Sequence, residues 1–122
     1  MATILLIDDE EHMRNLLNKL LIRDGHQVFI AQDGIEGVET FYQCKPDLVI
    51  TDIVMPKKDG IEVISDIRKI NSDQPIIAMS GGRRAYNTSY NLDSVEMRGV
   101  KCFLQKPFTH QQLQEVVQLV LS

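Results

Sequence analysis

The chain has 122 residues, 43% of them hydrophobic and 25% charged, with a formal net charge of −4 and a pI near 5.3. That is one domain's length with enough apolar residues for a single core, and its acidity disfavours a surface built to neutralise nucleic-acid phosphates or anionic lipid. No apolar run approaches the roughly 18 residues of a membrane span, and the N-terminus MATILLIDDEE lacks the basic flank and cleavage site of a secretory signal, so the expectation is one cytoplasmic domain over residues 1–122 without membrane insertion.

Short apolar runs alternate with longer segments of helical period, the pattern of parallel strands joined by helical crossovers in an α/β fold. The first strand is TILLI (3–7). After it, Met13, Leu16, Leu17, Leu20 and Leu21 recur at helical spacing, predicting an amphipathic helix that Gly25 ends. QVFIA (27–31) is the second strand and a helix follows over 34–44. DLVIT (47–51) is the third strand, followed by a helix over 60–71. PIIAM (75–79) is the fourth strand. Residues 81–91 are polar and turn-rich, which predicts a long loop and then a helix over 88–98, closed by Gly99. KCFLQ (101–105) is the fifth strand. In the last helix Leu113, Val116, Val117, Val120 and Leu121 share a face, and Thr109 with Gln112 forms a capping box at its start. Strands one, three and four are nearly continuous in apolar residues, as strands covered on both faces are; the mixed strands two and five should lie at the edges. Cys44 and Cys102 lie far apart without metal-ligand spacing and read as reduced packing residues. His12, His26 and His110 fall on separate elements and read likewise as surface or packing residues.

In an open doubly wound sheet, ligands bind outside the carboxyl ends of the strands. Strand one is followed there by Asp8 and Asp9, strand three by Asp52, strand four by Ser80 and strand five by Lys106, whereas strand two offers only Gln32 and Asp33. Singly, each has a bland reading: Asp8 or Asp9 as a helix cap, Asp52 or Ser80 in a turn, Lys106 in solvent. Together they are complementary. Three carboxylates on one rim resist ionising beside one another unless a cation resolves the repulsion, and Mg²⁺ accepts such hard oxygen ligands together with a phosphate. A lysine and a hydroxyl facing the same spot complete a site for phosphoryl chemistry.

These residues carry a resemblance. Over its whole length the sequence resembles the receiver domain of two-component response regulators, through ILLIDDEE (4–11), DLVITDIVMPKKDG (47–60), PIIAMSG (75–81) and CFLQKPF (102–108), in that family's order. The resemblance implies a flavodoxin-like (βα)5 fold with strand order 2-1-3-4-5. It implies that Asp52 accepts a phosphoryl group from a histidine kinase or histidine phosphotransfer protein, that Asp9 and Asp52 ligate Mg²⁺ directly with the Val54 carbonyl, and that Asp8 acts mainly through a metal-bound water. Lys106 would pair with the phosphoryl oxygens, Ser80 would donate its hydroxyl to one of them, and Phe103 occupies the aromatic switch position. Pro107 would follow a cis peptide bond. The surface so switched would address a downstream protein target. Such a domain catalyses its own phosphorylation and dephosphorylation and is not a turnover enzyme.

Some features depart from the family's pattern. The segment 80–99 is about four residues longer than usual, consistent with a long loop. Lys57 and Lys58 follow Met55-Pro56 where an apolar residue is more common and read as a solvated pair. Arg98 stands where an apolar residue is common. Arg83 and Arg84 are read either as a solvated pair or as a fork that closes on the phosphoryl group. An aspartyl-phosphate phosphatase is the rival enzyme, but it would carry a second acid two residues after the nucleophile, where Val54 stands. A receiver-like interaction module without phosphorylation is the other rival, and it would call for a broken site. The chain stops after the last helix without an output domain, and its start at Met1 favours a stand-alone receiver over one cut from a longer regulator.

Overall fold

A computed structural model of the chain describes residues 1–81 and 100–122. The helix expected over 88–98, its closing Gly99, and Arg83, Arg84 and Arg98 lie outside the described residues. Among the described residues there are five strands and four helices: β1 (Thr3–Ile7), α1 (Glu11–Arg23), β2 (Gln27–Ala31), α2 (Gly34–Cys44), β3 (Leu48–Asp52), α3 (Gly60–Ile70), β4 (Ile76–Gly81), β5 (Val100–Lys106) and α4 (His110–Leu121). The strands pair in parallel in the order β2-β1-β3-β4-β5, as the resemblance implied.

Period-two alternation divides the core between two faces of this sheet. On one, Leu5, Ile7, Val49, Ile76 and Ala78 pack with Phe41 of α2 and Val63, Ile64 and Ile67 of α3. On the other, Ile4, Leu6, Ile50, Ile77 and Met79 pack with Leu17 and Leu21 of α1 and Leu113 and Val117 of α4. Both faces are covered, so β1, β3 and most of β4 are buried along their length, while β2 and β5 form the edges as their mixed composition predicts. Cys44 and Cys102 are both free and belong to opposite faces.

Three of the helices begin with a side-chain cap. Asp33 accepts the Glu36 N–H at the start of α2, and Asp59 with Glu62 and Thr109 with Gln112 form reciprocal capping boxes at the starts of α3 and α4. α1 differs: its N-cap is Glu10, without a side-chain cap hydrogen bond. Its apolar stripe is also narrower than its spacing predicts. Leu17 and Leu21 are buried, but Leu16 is 43% exposed, because α4 and the sheet cover only the side facing Leu17.

β5 carries one irregularity. Ile76 pairs with Val100 but Ile77 pairs with Cys102, so Lys101 is an extra residue in the ladder, a β-bulge. Beyond it Ala78 pairs with Phe103 and Gly81 with Lys106.

Candidate functional site

The same alternation decides which side chains meet at the carboxyl ends of the strands. Asp8, Asp52 and Lys106 each follow, by two residues, a side chain packed on the α1 and α4 face: Leu6, Ile50 and Leu104. They therefore project to one side and converge. Lys106 Nζ lies 3.0 Å from Asp8 Oδ2 and 3.2 Å from Asp52 Oδ2. The contact is nearly dry, with Asp8 fully buried and Asp52 only 4% exposed. Burial alone would depress the Lys106 ammonium, but the charges of Asp52 and Asp8 and the hydrogen bonds to both prevail and hold its pKa above the usual 10.5.

Backbone contacts fix the carboxylates. Asp52 Oδ1 accepts the Ile53 N–H at 2.9 Å, and Asp8 Oδ1 accepts the Glu10 N–H at 3.0 Å. The Arg14 guanidinium donates to the Asp8 carbonyl at 2.9 Å, and the Thr51 hydroxyl donates to the Asp52 carbonyl at 3.0 Å. α3 starts hard against the acceptor strand. The Gly60 N–H donates to the Ile53 carbonyl at 2.7 Å, and a Cβ at Gly60 would run into the Asp52 carbonyl oxygen and the Ile53 Cα.

Asp8, Glu10 and Asp52 each present a carboxylate oxygen within 4.8 Å of the other two. All three donors are hard oxygens, the chemistry that suits Mg²⁺. Asp9, half-buried in the turn before α1, is not one of the three. Glu10 is the member that sequence reasoning missed. As the third acid of a DDEE run it reads as a first-turn helix acid, but it stands at the N-cap position without a side-chain cap bond, and its exposed carboxylate lies near the two buried aspartates.

Ser80 and Phe103 occupy the opposite face parity. Met79 pairs with Asp52 across β3 and β4, so Ser80 stands one residue past the acceptor's partner, half-buried. Ala78 pairs with Phe103, and both belong to the α2 and α3 face, so the Ser80 side chain is two residues beyond the Ala78–Phe103 pair on the same side. Val54 packs at the edge of that cluster. The Lys106–Pro107 peptide bond is cis, as the resemblance implied.

Away from the pocket, the structure gives partners to residues expected only at the surface or in packing. Lys57 and Lys58 are not simply a solvated pair: Lys57 Nζ lies 3.6 Å from Asp33 Oδ2, and Lys58 is ion-paired to Asp66. His110 is more than a packing residue, since its Nε2 lies 3.0 Å from an Asp24 oxygen that also accepts from Gln114.

Comparison with known proteins agrees with this arrangement. The model of the response regulator receiver domain matches residues 4–118. The chain is 33% identical over 119 residues to the chemotaxis protein CheY of Halobacterium salinarum, covering 98% of this chain and 96% of that protein. It is 33% identical over 110 residues to the response regulator MprA of Mycobacterium sp. (strain KMS), where the match covers 90% of this chain but spans only 46% of the relative. Among solved structures, response regulator TrrA of Thermotoga maritima, determined in complex with Mg(2+)-BeF, superposes with a TM-score of 0.85 at 33% identity, covering 99% of this chain and 100% of that one. A receiver domain protein from Clostridium thermocellum gives a TM-score of 0.87 at 31% identity, covering 99% of this chain and 94% of the other. With five parallel strands in the order 2-1-3-4-5 and a lysine drawn onto two buried aspartates at their carboxyl ends, the chain belongs to the receiver domain family of response regulators, signalling domains rather than metabolic enzymes.

Proposed function

We propose that residues 1–122 act as one cytoplasmic receiver unit whose Asp52 accepts a phosphoryl group from the phosphohistidine of a histidine kinase or phosphotransfer protein. The observation that carries this reading is the contact of Lys106 with both Asp8 and Asp52 inside a nearly dry, acidic pocket. An Asp52 carboxylate oxygen attacks phosphorus, the P–N bond to the histidine breaks, and its electron pair leaves with the imidazole. Lys106 holds a fixed positive charge where the phosphoryl oxygens arrive, and Ser80, at the end of the neighbouring strand, donates its hydroxyl to one of them. The Ile53 N–H orients the acceptor carboxylate.

The donor set fits Mg²⁺. Asp9, Asp52 and the Val54 carbonyl are the ligands the resemblance implies, with Asp8 acting through water, and Glu10 brings a further carboxylate to the same pocket. The ion's part is to neutralise charge on the transferring group. Phosphorylation adds charge and strong acceptor oxygens. Ser80 meets them, and Phe103, on the same side of the sheet, takes the space that this movement leaves, which changes the surface offered to a downstream protein target.

Incubation with acetyl phosphate and Mg²⁺ tests the reading. Intact mass should show a single added phosphoryl group, absent in Asp52→Asn and in samples with excess chelator. Equal labelling of Asp52→Asn would overturn the assignment, and absence of labelling in the wild-type protein would favour an interaction module without phosphorylation.

A further inference from the structure

Asp33, at the end of β2, takes no part in the acidic pocket, yet it is only 9% exposed and its two oxygens face different elements. Oδ1 accepts the Glu36 N–H at 2.9 Å and caps α2, while Oδ2 faces Lys57 in the loop after β3. The next residue makes a closer connection. A Cβ at Gly34 would run into the Lys58 carbonyl oxygen and would stand 2.8 Å from both Lys58 Cβ and Val63 Cγ2. The first turn of α2 is therefore pressed directly against the backbone of Lys58, at a distance only glycine permits.

The segment resting there follows the acceptor. Residues 53–59 leave β3 immediately after Asp52, and the Gly60 N–H returns to the Ile53 carbonyl. Lys57 adopts φ 67°, a left-handed conformation unfavourable for a lysine that persists only when its surroundings impose it. Here the surroundings are Asp33 and Gly34 on α2 and Asp66 on α3, which takes Lys58. The edge of the sheet thus reaches across β1 to hold the loop that the acceptor strand feeds.

We propose that Asp33 and Gly34 are positioning residues for the phosphoacceptor: by seating Lys57 and Lys58 on the first turn of α2, they fix the backbone of Ile53 and Val54. Two groups of the site depend on that backbone, the Ile53 N–H that orients the Asp52 carboxylate and the Val54 carbonyl of the proposed ligand set. A small ion with strict octahedral demands, or a phosphoryl group, registers displacements of roughly 0.5 Å. The inference rests on the phosphoacceptor reading of Asp52.

The test combines Mg²⁺ affinity by titration calorimetry with the amide NMR shifts of Ile53 and Val54, the latter read without metal. Asp33→Asn keeps the capping oxygen but removes the charge facing Lys57. Asp33→Asn and Lys57→Ala should each weaken Mg²⁺ binding by about two- to fivefold, the scale of an exposed ion pair, and the double variant should be no weaker than either single one. Lys57→Arg should retain wild-type affinity. Gly34→Ala should weaken binding by about tenfold or more and move both amides, because its methyl group forces the loop away. If Gly34→Ala does not fold, the Asp33 and Lys57 cycle carries the test. Variants that alter thermal stability while leaving the Mg²⁺ affinity and both amide shifts at wild-type values would overturn the inference. If the wild-type protein binds no Mg²⁺, the phosphoacceptor reading fails instead, and the metal-free amide shifts still decide whether Asp33 and Gly34 hold the loop.

Discussion

Lys106 Nζ lies 3.2 Å from Asp52 Oδ2, and this contact makes the lysine a counter-charge of the acceptor carboxylate. The Lys106 side chain is only 10% exposed, so removing it strands Asp8 and Asp52 against each other in a nearly dry pocket. Leaving a buried charge uncompensated costs about 3 kcal/mol or more. Lys106→Met should therefore lower the denaturation midpoint of the metal-free protein. Mg²⁺ should recover more stability in the variant than in the wild type, which thermal melts with and without the ion would show.

The raised pKa of Lys106 has a definite sign in the pH dependence. Burial opposes the charged form, but Asp52 and Asp8 favour it more strongly, so the folded protein holds this proton more tightly than the unfolded chain does. The resulting stabilisation is complete below the unfolded value of 10.5 and is lost as pH rises through the higher folded value. The stability difference between wild type and Lys106→Met should stay constant from about pH 7 to about pH 10 and shrink only above that range. Urea titrations at a series of pH values would measure it.

At Gly60 the prediction is steric. A methyl group there meets the Asp52 carbonyl oxygen, which is backbone and cannot turn aside. Gly60→Ala should cost about 1–3 kcal/mol as overpacking, with loss of the Gly60 N–H to Ile53 hydrogen bond as the helix start is pushed out. It should also slow labelling by acetyl phosphate, since relief comes by displacing the acceptor strand. A stability loss with unchanged labelling would mean that α3 moves and Asp52 does not.

Asp24, at the C-terminal end of α1, governs an acid limb remote from the pocket. Burial pushes its carboxyl upward, but hydrogen bonds from Gln114 and His110 and the charges of His110 and His26 outweigh this and hold it below 3.8. A depressed carboxyl contributes stability above its unfolded value that is lost as pH falls through the folded one. Asp24→Asn should cost about 0.5–1 kcal/mol at neutral pH, the size of a hydrogen-bonded contact near the surface, and that cost should fade below about pH 4. Chemical denaturation of both proteins at neutral and acid pH would check it.

The strand cores and the capping box of α4 were legible in the sequence because each rests on a short-range pattern. Period-two or continuous apolar runs gave β1 and β2 their observed bounds, and Thr109 and Gln112 cap α4 as their spacing predicts. β4 reaches past its apolar run to Ser80 and Gly81 because backbone pairing with β5 does not require apolar side chains. Leu16 was misplaced because helical spacing does not tell how wide a stripe the neighbouring elements cover. Asp8, Asp52 and Lys106 were legible as strand-end residues, whereas Glu10 and the pairing of Lys57 with Asp33 depend on where a turn points, which no local spacing encodes. The reading of Arg83 and Arg84 concerns residues beyond those described.

The extra residue at Lys101 bears on which changes in length the chain can absorb. Val100 and Phe103 pack on the same face although they lie an odd number of positions apart, because the bulge at Lys101 shifts the alternation once. Downstream of it, Phe103 faces α2 and α3, and Lys106 faces the aspartates. A single residue added or removed between Cys102 and Lys106 would turn the lysine to the other side of the sheet, away from Asp8 and Asp52. The last five residues of β5 are therefore closed to insertion and deletion by geometry alone, because their count sets the side of the sheet on which the pocket's cation stands.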